Sequence, residues 1–208
     1  MSHELLRTRR RFLLGAIGAA MGGLAIGGTR ANQLTRQSGL ALPTHYADAN
    51  TAAAFWAKPR VVNILRVKTG EHAQVCFWRD GALQPDGYRQ VCHLLRDVRA
   101  GEATAMDLRL LNLLCGMQAW LYSAHGYLEP YNATSGYRNR RTNSLTEGAA
   151  KDSAHMRGMA IDGRLPGLPV PYVGQLARMF QSGGVGFYMD ARNFIHTDVG
   201  RVRSWAVK

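Results

Sequence analysis

One segment constrains the fold more than any other. Between Asp107 and Leu121, the residues Leu108, Leu111, Leu114, Cys115, Gln118 and Leu121 recur at helical spacing. Asp107 stands where an N-cap is expected, and Leu110, Leu113 and Trp120 widen the apolar stripe. A helix that is apolar around so much of its circumference has to be covered on several sides. The rest of the chain must therefore wrap it. With 208 residues, of which 46% are hydrophobic and 19% charged, there is material for one domain with a real core. No tract is biased enough to read as a disordered tail.

The flanking patterns supply the wrapping. Val61 to Val67 reads as a strand, Thr69 to His72 as a turn and Ala73 to Trp78 as a second strand, which together make a hairpin closed by Asp80-Gly81. Pro85-Asp86 opens a helix carried by Tyr88, Val91, Leu94, Leu95 and Val98 and ended by Gly101. Val170 to Gln181 reads as another helix, stopped at Gly183-Gly184. Val185 to Met189 and Phe194 to Val199 form a final strand pair joined at residues 190–193. The expected class is α+β, a small antiparallel sheet packed with helices. Residues 32–58 read as a polar spacer, loosely ordered or lying along the surface, with the domain proper over 59–208.

The N-terminus addresses the chain. Thr8-Arg9-Arg10-Arg11-Phe12-Leu13-Leu14 opens a stretch without charge from Phe12 to Thr29. A basic region followed by a moderately apolar segment is an export signal. The adjacent arginines followed by x-Phe-Leu resemble the twin-arginine consensus. Residues 1–31 are thus expected to be a twin-arginine signal, which places the protein in the periplasm or cell envelope. Its many glycines make it a weak membrane span. Thr29-Arg30-Ala31 is a poor cleavage site, which leaves retention as an anchor open.

The formal net charge is +12. Residues 1–31 hold five arginines and one acid, so the remainder still carries +8. Nucleic acid, a membrane surface and an anionic polymer all suit that charge. Nucleic-acid readers interleave aromatics with clustered Lys/Arg. Only Arg138-Asn139-Arg140-Arg141 is so clustered, and export argues against that partner. Cys76, Cys92 and Cys115 form no Cys-x-x-Cys pair, permit at most one disulfide, and read as buried apolar side chains.

From Ala133 to Leu165 the texture changes to Gly, Ser, Asn and Arg, with few large apolar residues. Such a segment presents functional groups. His155 and Asp162 stand seven apart with Gly158 between them, so a turn can return the histidine beside a following strand. On that strand Ala160, Asp162 and Arg164 share one face, and on the last strand His196 and Asp198 share another. Two adjacent strands would then offer His155, Asp162 and His196 to one ion. By spacing alone this stands level with a surface histidine, a strand-capping aspartate and a buried histidine.

The surrounding residues add a resemblance. Ser-x-His-x-x-Gly-x-Ala-x-Asp over 153–162, Ser135-Gly136-Tyr137-Arg138 before it, Thr142-Asn143, Gly183 to Tyr188, and the His196-x-Asp198 ending resemble the zinc D-alanyl-D-alanine carboxypeptidase group, which shares its fold with the Hedgehog signalling domain. Within that group the chain is most similar to the YcbK-type, MepK-like murein endopeptidases, from about Val61 to Trp205. The resemblance implies Zn2+ held by His155, Asp162 and His196, with its bound water as nucleophile, and Arg138 on a substrate carboxylate or developing oxyanion. It implies peptidoglycan as the partner and hydrolysis of its peptide cross-links, in cell-wall remodelling. The alternatives are a D,D- or L,D-carboxypeptidase, or a non-catalytic peptidoglycan-binding module. Several relatives carry an acid three residues before the last histidine, where this chain has Asn193. Asp198 is the expected replacement as proton acceptor, against an orienting role. Glu147 and Asp190 are outside candidates, and Tyr188 a hydrogen-bond donor to the oxyanion. Beyond the first 31 residues, the other histidines, His45, His72, His93 and His125, have no partner motif, and Trp56, Trp78, Trp120 and Trp205 read as core or rim.

Overall fold

The computed structural model describes residues 39–44 and 47–207. The expected signal segment and His45 lie outside them. Ten of the residues read as a loose spacer, Asp48 to Ala57, turn out otherwise. Asp48 accepts hydrogen bonds from Asn50 N and Thr51 N and starts helix α1, Ala49–Ala57. The helix buries Ala52 and Trp56. The Asp cap and the alanine run after it are the local signal for this helix.

Strands β1 (Arg60–Arg66) and β2 (Glu71–Arg79) form the expected antiparallel hairpin. The short β3 (Ala82–Leu83) pairs with the end of β2. Helix α2 (Pro85–Leu94) ends well before Gly101. There Asp97 Oδ1 accepts from the amides of Arg99 and Ala100. An aspartate that bonds backbone two and three residues ahead offers the chain a turn instead of another helical repeat.

Helix α3 (Leu108–His125) is the central element. Asp107 Oδ1 accepts from Arg109 N at its start, and Gly126 closes it at φ 62°. Leu110, Leu111, Leu113, Leu114, Met117 and Leu121 are each 1% exposed or less. Beyond it come β4 (Tyr131–Ser135), the short α4 (Arg140–Ser144), a 3-10 turn (Ala154–Arg157), β5 (Ala160–Arg164), α5 (Val170–Met179), β6 (Gly184–Tyr188), β7 (Phe194–Asp198) and β8 (Arg203–Val207).

The strands make one sheet in the order β3-β2-β1-β4-β5-β7-β6-β8. It is larger than expected and mixed, because β1 pairs with β4 and β6 with β8 in parallel. The four strands at its middle, β4-β5-β7-β6, are antiparallel throughout. Ile161, Ile195 and Val185 point into the core with α3 and α5, which leaves the alternate residues of these strands for the opposite face. All three cysteines are free thiols, and Cys92 and Cys115 are buried. Among the described residues no helix is long and apolar enough to cross a membrane.

Candidate metal centre

One transverse row of the sheet builds the site. Ser135 pairs with Asp162, Asp162 with His196, His196 with Gly186, and Gly186 with Trp205. Residues opposite one another on antiparallel strands share a face with neighbouring Cβ atoms. Asp162 and His196 therefore project side by side. A β-bulge between Ala133 and Ser135 brings Ser135 into the row.

His155 arrives from the 3-10 turn. Ser153 Oγ accepts from His155 N at 3.3 Å, and Gly158 ends the turn at φ 64°. A Cβ on Gly158 would stand 2.5 Å from Ala105 O, so glycine is required there by conformation and by space. The imidazole is 0% exposed and closes the back of the site.

The ring nitrogens then have defined roles. His155 Nδ1 lies 2.6 Å from Gly136 O. A carbonyl only accepts, so Nδ1 carries the proton and Nε2 is a bare lone pair. His196 Nε2 lies 3.0 Å from Asp198 Oδ2 and donates to it, which leaves His196 Nδ1 bare. The two bare nitrogens are 3.2 Å apart, and Asp162 Oδ1 stands 3.2 Å from the first and 2.8 Å from the second. Three acceptors thus converge with no donor between them. Only a cation or an extra proton satisfies that arrangement. Atoms about 2 Å from one tetrahedral ion stand roughly 3.3 Å apart, so the trio fits a zinc-type ion.

Without metal, the extra proton resides on His196. Burial opposes its charge, but hydrogen bonds and charge from Asp162 and Asp198 raise its pKa to about 9. Burial also opposes the charge of Asp162, yet the two histidines hold its pKa far below the usual carboxylate range. A metal takes the neutral imidazole. Metal uptake at pH 7 is therefore expected to release about one proton from His196, and affinity to rise about tenfold per pH unit up to about pH 9. Calorimetry in buffers of different ionisation enthalpy counts that proton; uptake without release would contradict the assignment.

Asp198 sits behind His196. It is 0% exposed. Its Oδ1 accepts from Gly184 N, Gly200 N and Arg203, and its Oδ2 from His196 and Arg203. Burial pushes its pKa up, and these donors outweigh that and hold it well below the ordinary value. Arg138 borders the other side, with Nη2 4.0 Å from Asp162 Oδ2. Its backbone N donates to His155 O at 3.3 Å.

The other expected participants stand apart. Asn193 is exposed in the β6–β7 turn at φ 45°. The Asp190 carboxylate is paired with Arg192, and Glu147 is exposed. Tyr188 stacks on Phe194 at 4.4 Å and lies under Arg192. Among the described residues, the carboxylates bonded to the histidine pair are Asp162 and Asp198. Trp205 is the participant that sequence patterns missed. Its ring lies 5.3 Å from His196 and over Gly186, where a Cβ would meet it at 2.6 Å.

Residues 54–205, which span the whole site, match the family model described as peptidoglycan L,D-endopeptidase MepK. The chain belongs to the MepK family. A probable peptidoglycan L,D-endopeptidase MepK of Haemophilus influenzae is 34% identical over 152 residues, 71% of this chain and 80% of that protein. The peptidoglycan L,D-endopeptidase MepK of Escherichia coli K12 is 30% identical over the same length, covering 81% of that protein. The MepK match includes Arg138, His155, Asp162, His196, Asp198 and Trp205. It begins within α1, so that helix lies partly inside the region shared by the family.

Proposed function

We propose that this chain is an exported zinc endopeptidase that hydrolyses peptide bonds in peptidoglycan cross-links. One observation carries the reading: in a member of the MepK family, the lone pairs of His155, Asp162 and His196 converge as a cation requires. The side chains of Asp162 and His196 are 13% and 11% exposed against 1% for His155, so the open side of the trio faces solvent and substrate. The same proposal covers export of residues 1–31 by the twin-arginine route, a linking segment over 32–58 that carries helix α1, and a peptidase domain over 59–208 in the periplasm or cell envelope.

His155, Asp162 and His196 would hold the zinc ion, which when bound would supply Lewis acidity toward an acyl carbonyl and water. Arg138 places a guanidinium beside the trio and stabilises negative charge on the acyl oxygen. Trp205, lying over Gly186, places an apolar wall beside the His196 ring. The bonding of Asp198 favours orientation of His196 over proton transfer, since every donor around it favours the ionised form.

Two experiments test these roles. Purified sacculi should be solubilised by the zinc-restored protein and left intact by His155→Ala. Tight binding by both proteins with no product from either would mean a binding module instead. Asp198→Asn should weaken metal affinity about 10- to 100-fold, with kcat recovering when zinc is raised. If Asp198 were the proton acceptor, kcat would stay low at saturating zinc.

A further inference from the structure

Arg66 breaks the logic of its own strand. Along β1, Val62, Ile64 and Arg66 are the buried positions. Alternation reserves such a stripe for apolar side chains, yet its last member is a guanidinium only 4% exposed. Its Nη1 donates to Ala133 O at 3.2 Å, and its Nε has no partner. Among the described residues no carboxylate lies within ion-pair distance of it. Burial and the neighbouring Arg96 lower its pKa, and the charges of Asp97, Asp162 and Glu71, none of them paired with it, offset that only in part. A buried, unpaired charge is strongly disfavoured unless an anion compensates it.

Arg66 lines a cleft of about 190 Å3 that it shares with Lys68, Arg99, Arg138, Ser135 and Asp162. The two acids on the cleft wall are occupied. Asp97 accepts from the amides of Arg99, Ala100 and Asn139. Asp162 faces the two histidines. Lys68 and Arg99 are exposed at the rim. The cleft thus sets four cations, Arg66, Lys68, Arg99 and Arg138, against these two acids, and Asp162 of the metal trio lies on its wall.

We propose that this cleft is an anion subsite in which Arg66, with Lys68 and Arg99 at its rim, binds a free carboxylate of the peptide substrate next to the bond that is cut. The source of the carboxylate rests on the peptidase reading above; the subsite itself rests on the cleft. Peptides of a polymer rich in free carboxylates supply the ligand, and a guanidinium fork matches a carboxylate in shape and charge. Because Asp162 and Arg138 line the cleft and also border the trio, a carboxylate bound there belongs to the part of the substrate beside the reacting carbonyl. Arg66 would then decide which peptides are accepted, while the trio cleaves them.

The probes are N-acetyl-D-alanine and its C-terminal amide, titrated into the full chain with and without zinc. Arginine Nε–H resonances are read by NMR. The acid should bind at least about tenfold more tightly than the amide and shift the Arg66 signal. Arg66→Met should erase that preference, and Arg66→Lys should retain part of it. The surface double variant Lys68→Ala/Arg99→Ala should reduce it without disturbing the fold. Equal binding of acid and amide by the unaltered protein overturns the subsite, as does a full preference in folded Arg66→Met. Sacculus hydrolysis without discrimination also sinks the subsite and leaves the peptidase reading standing. Discrimination without hydrolysis does the reverse.

Discussion

Replacing His155 with alanine is expected to abolish metal binding and sacculus hydrolysis together. The imidazole is fully buried, and its Nε2 is one corner of the trio. Its loss leaves two adjacent donors on the sheet and an open space behind them, which holds a divalent ion far less tightly than three converging atoms. It also strips Gly136 O of its hydrogen bond, in a turn that carries Arg138 two residues later. A catalytic zinc contributes several kcal/mol of transition-state stabilisation, so activity should fall about 1000-fold or more. Elemental analysis should find less than about one-tenth of an equivalent of zinc, given the strong dependence on ligand count. A variant that keeps a full equivalent, or that cuts sacculi at the original rate, would refute the centre as drawn. Thermal unfolding of metal-free samples separates loss of the site from loss of the fold.

Arg138→Met carries the second large effect, and it should separate chemistry from metal. The side chain is 12% exposed and stands 4.0 Å from the carboxylate of Asp162. Methionine preserves much of its length and none of its charge. If Arg138 stabilises the acyl oxygen, kcat should fall about 100- to 1000-fold with zinc content unchanged. Arg138→Lys should recover only part of that, because an ammonium lacks the planar fork. A structural role would give a different pattern: a lower unfolding temperature with kcat within about threefold of the unaltered protein. Arg138 N bonds His155 O through the backbone, and that link survives either substitution.

The parts that local pattern reveals are those whose cause is local. Helix α3 is announced by apolar spacing and by Asp107; Leu111, Leu114, Cys115 and Leu121 of the spaced set are buried together with Leu110, Leu113 and Trp120, while Leu108 and Gln118 are half-buried. The β1–β2 hairpin and the β6–β7 pair follow from alternation and turn residues. Strand β4 escapes because Tyr131-Asn132-Ala133-Thr134-Ser135 is short and polar, and is made a strand by β1 on one side and β5 on the other. Strand β8 escapes for the same reason, and with it the placing of Trp205 over Gly186. Helix α2 is overextended because apolar spacing continues to Val98, while the Asp97 side chain turns the backbone aside.

At the site the division is sharper. Residue types, their order and their strand parity already brought His155, Asp162 and His196 toward one point, and the motifs around them pointed to the family. The tertiary structure alone decided which ring nitrogens are bare, because that depends on Gly136 O and on Asp198 Oδ2. It alone put Asp198 behind His196 with every oxygen engaged. It also buried Arg66, with no ion-pair partner, in the cleft that Asp162 borders. Periodicity reports the face a side chain takes. Proton positions and charge balance depend on atoms brought near by the fold, and those neighbours are distant in sequence.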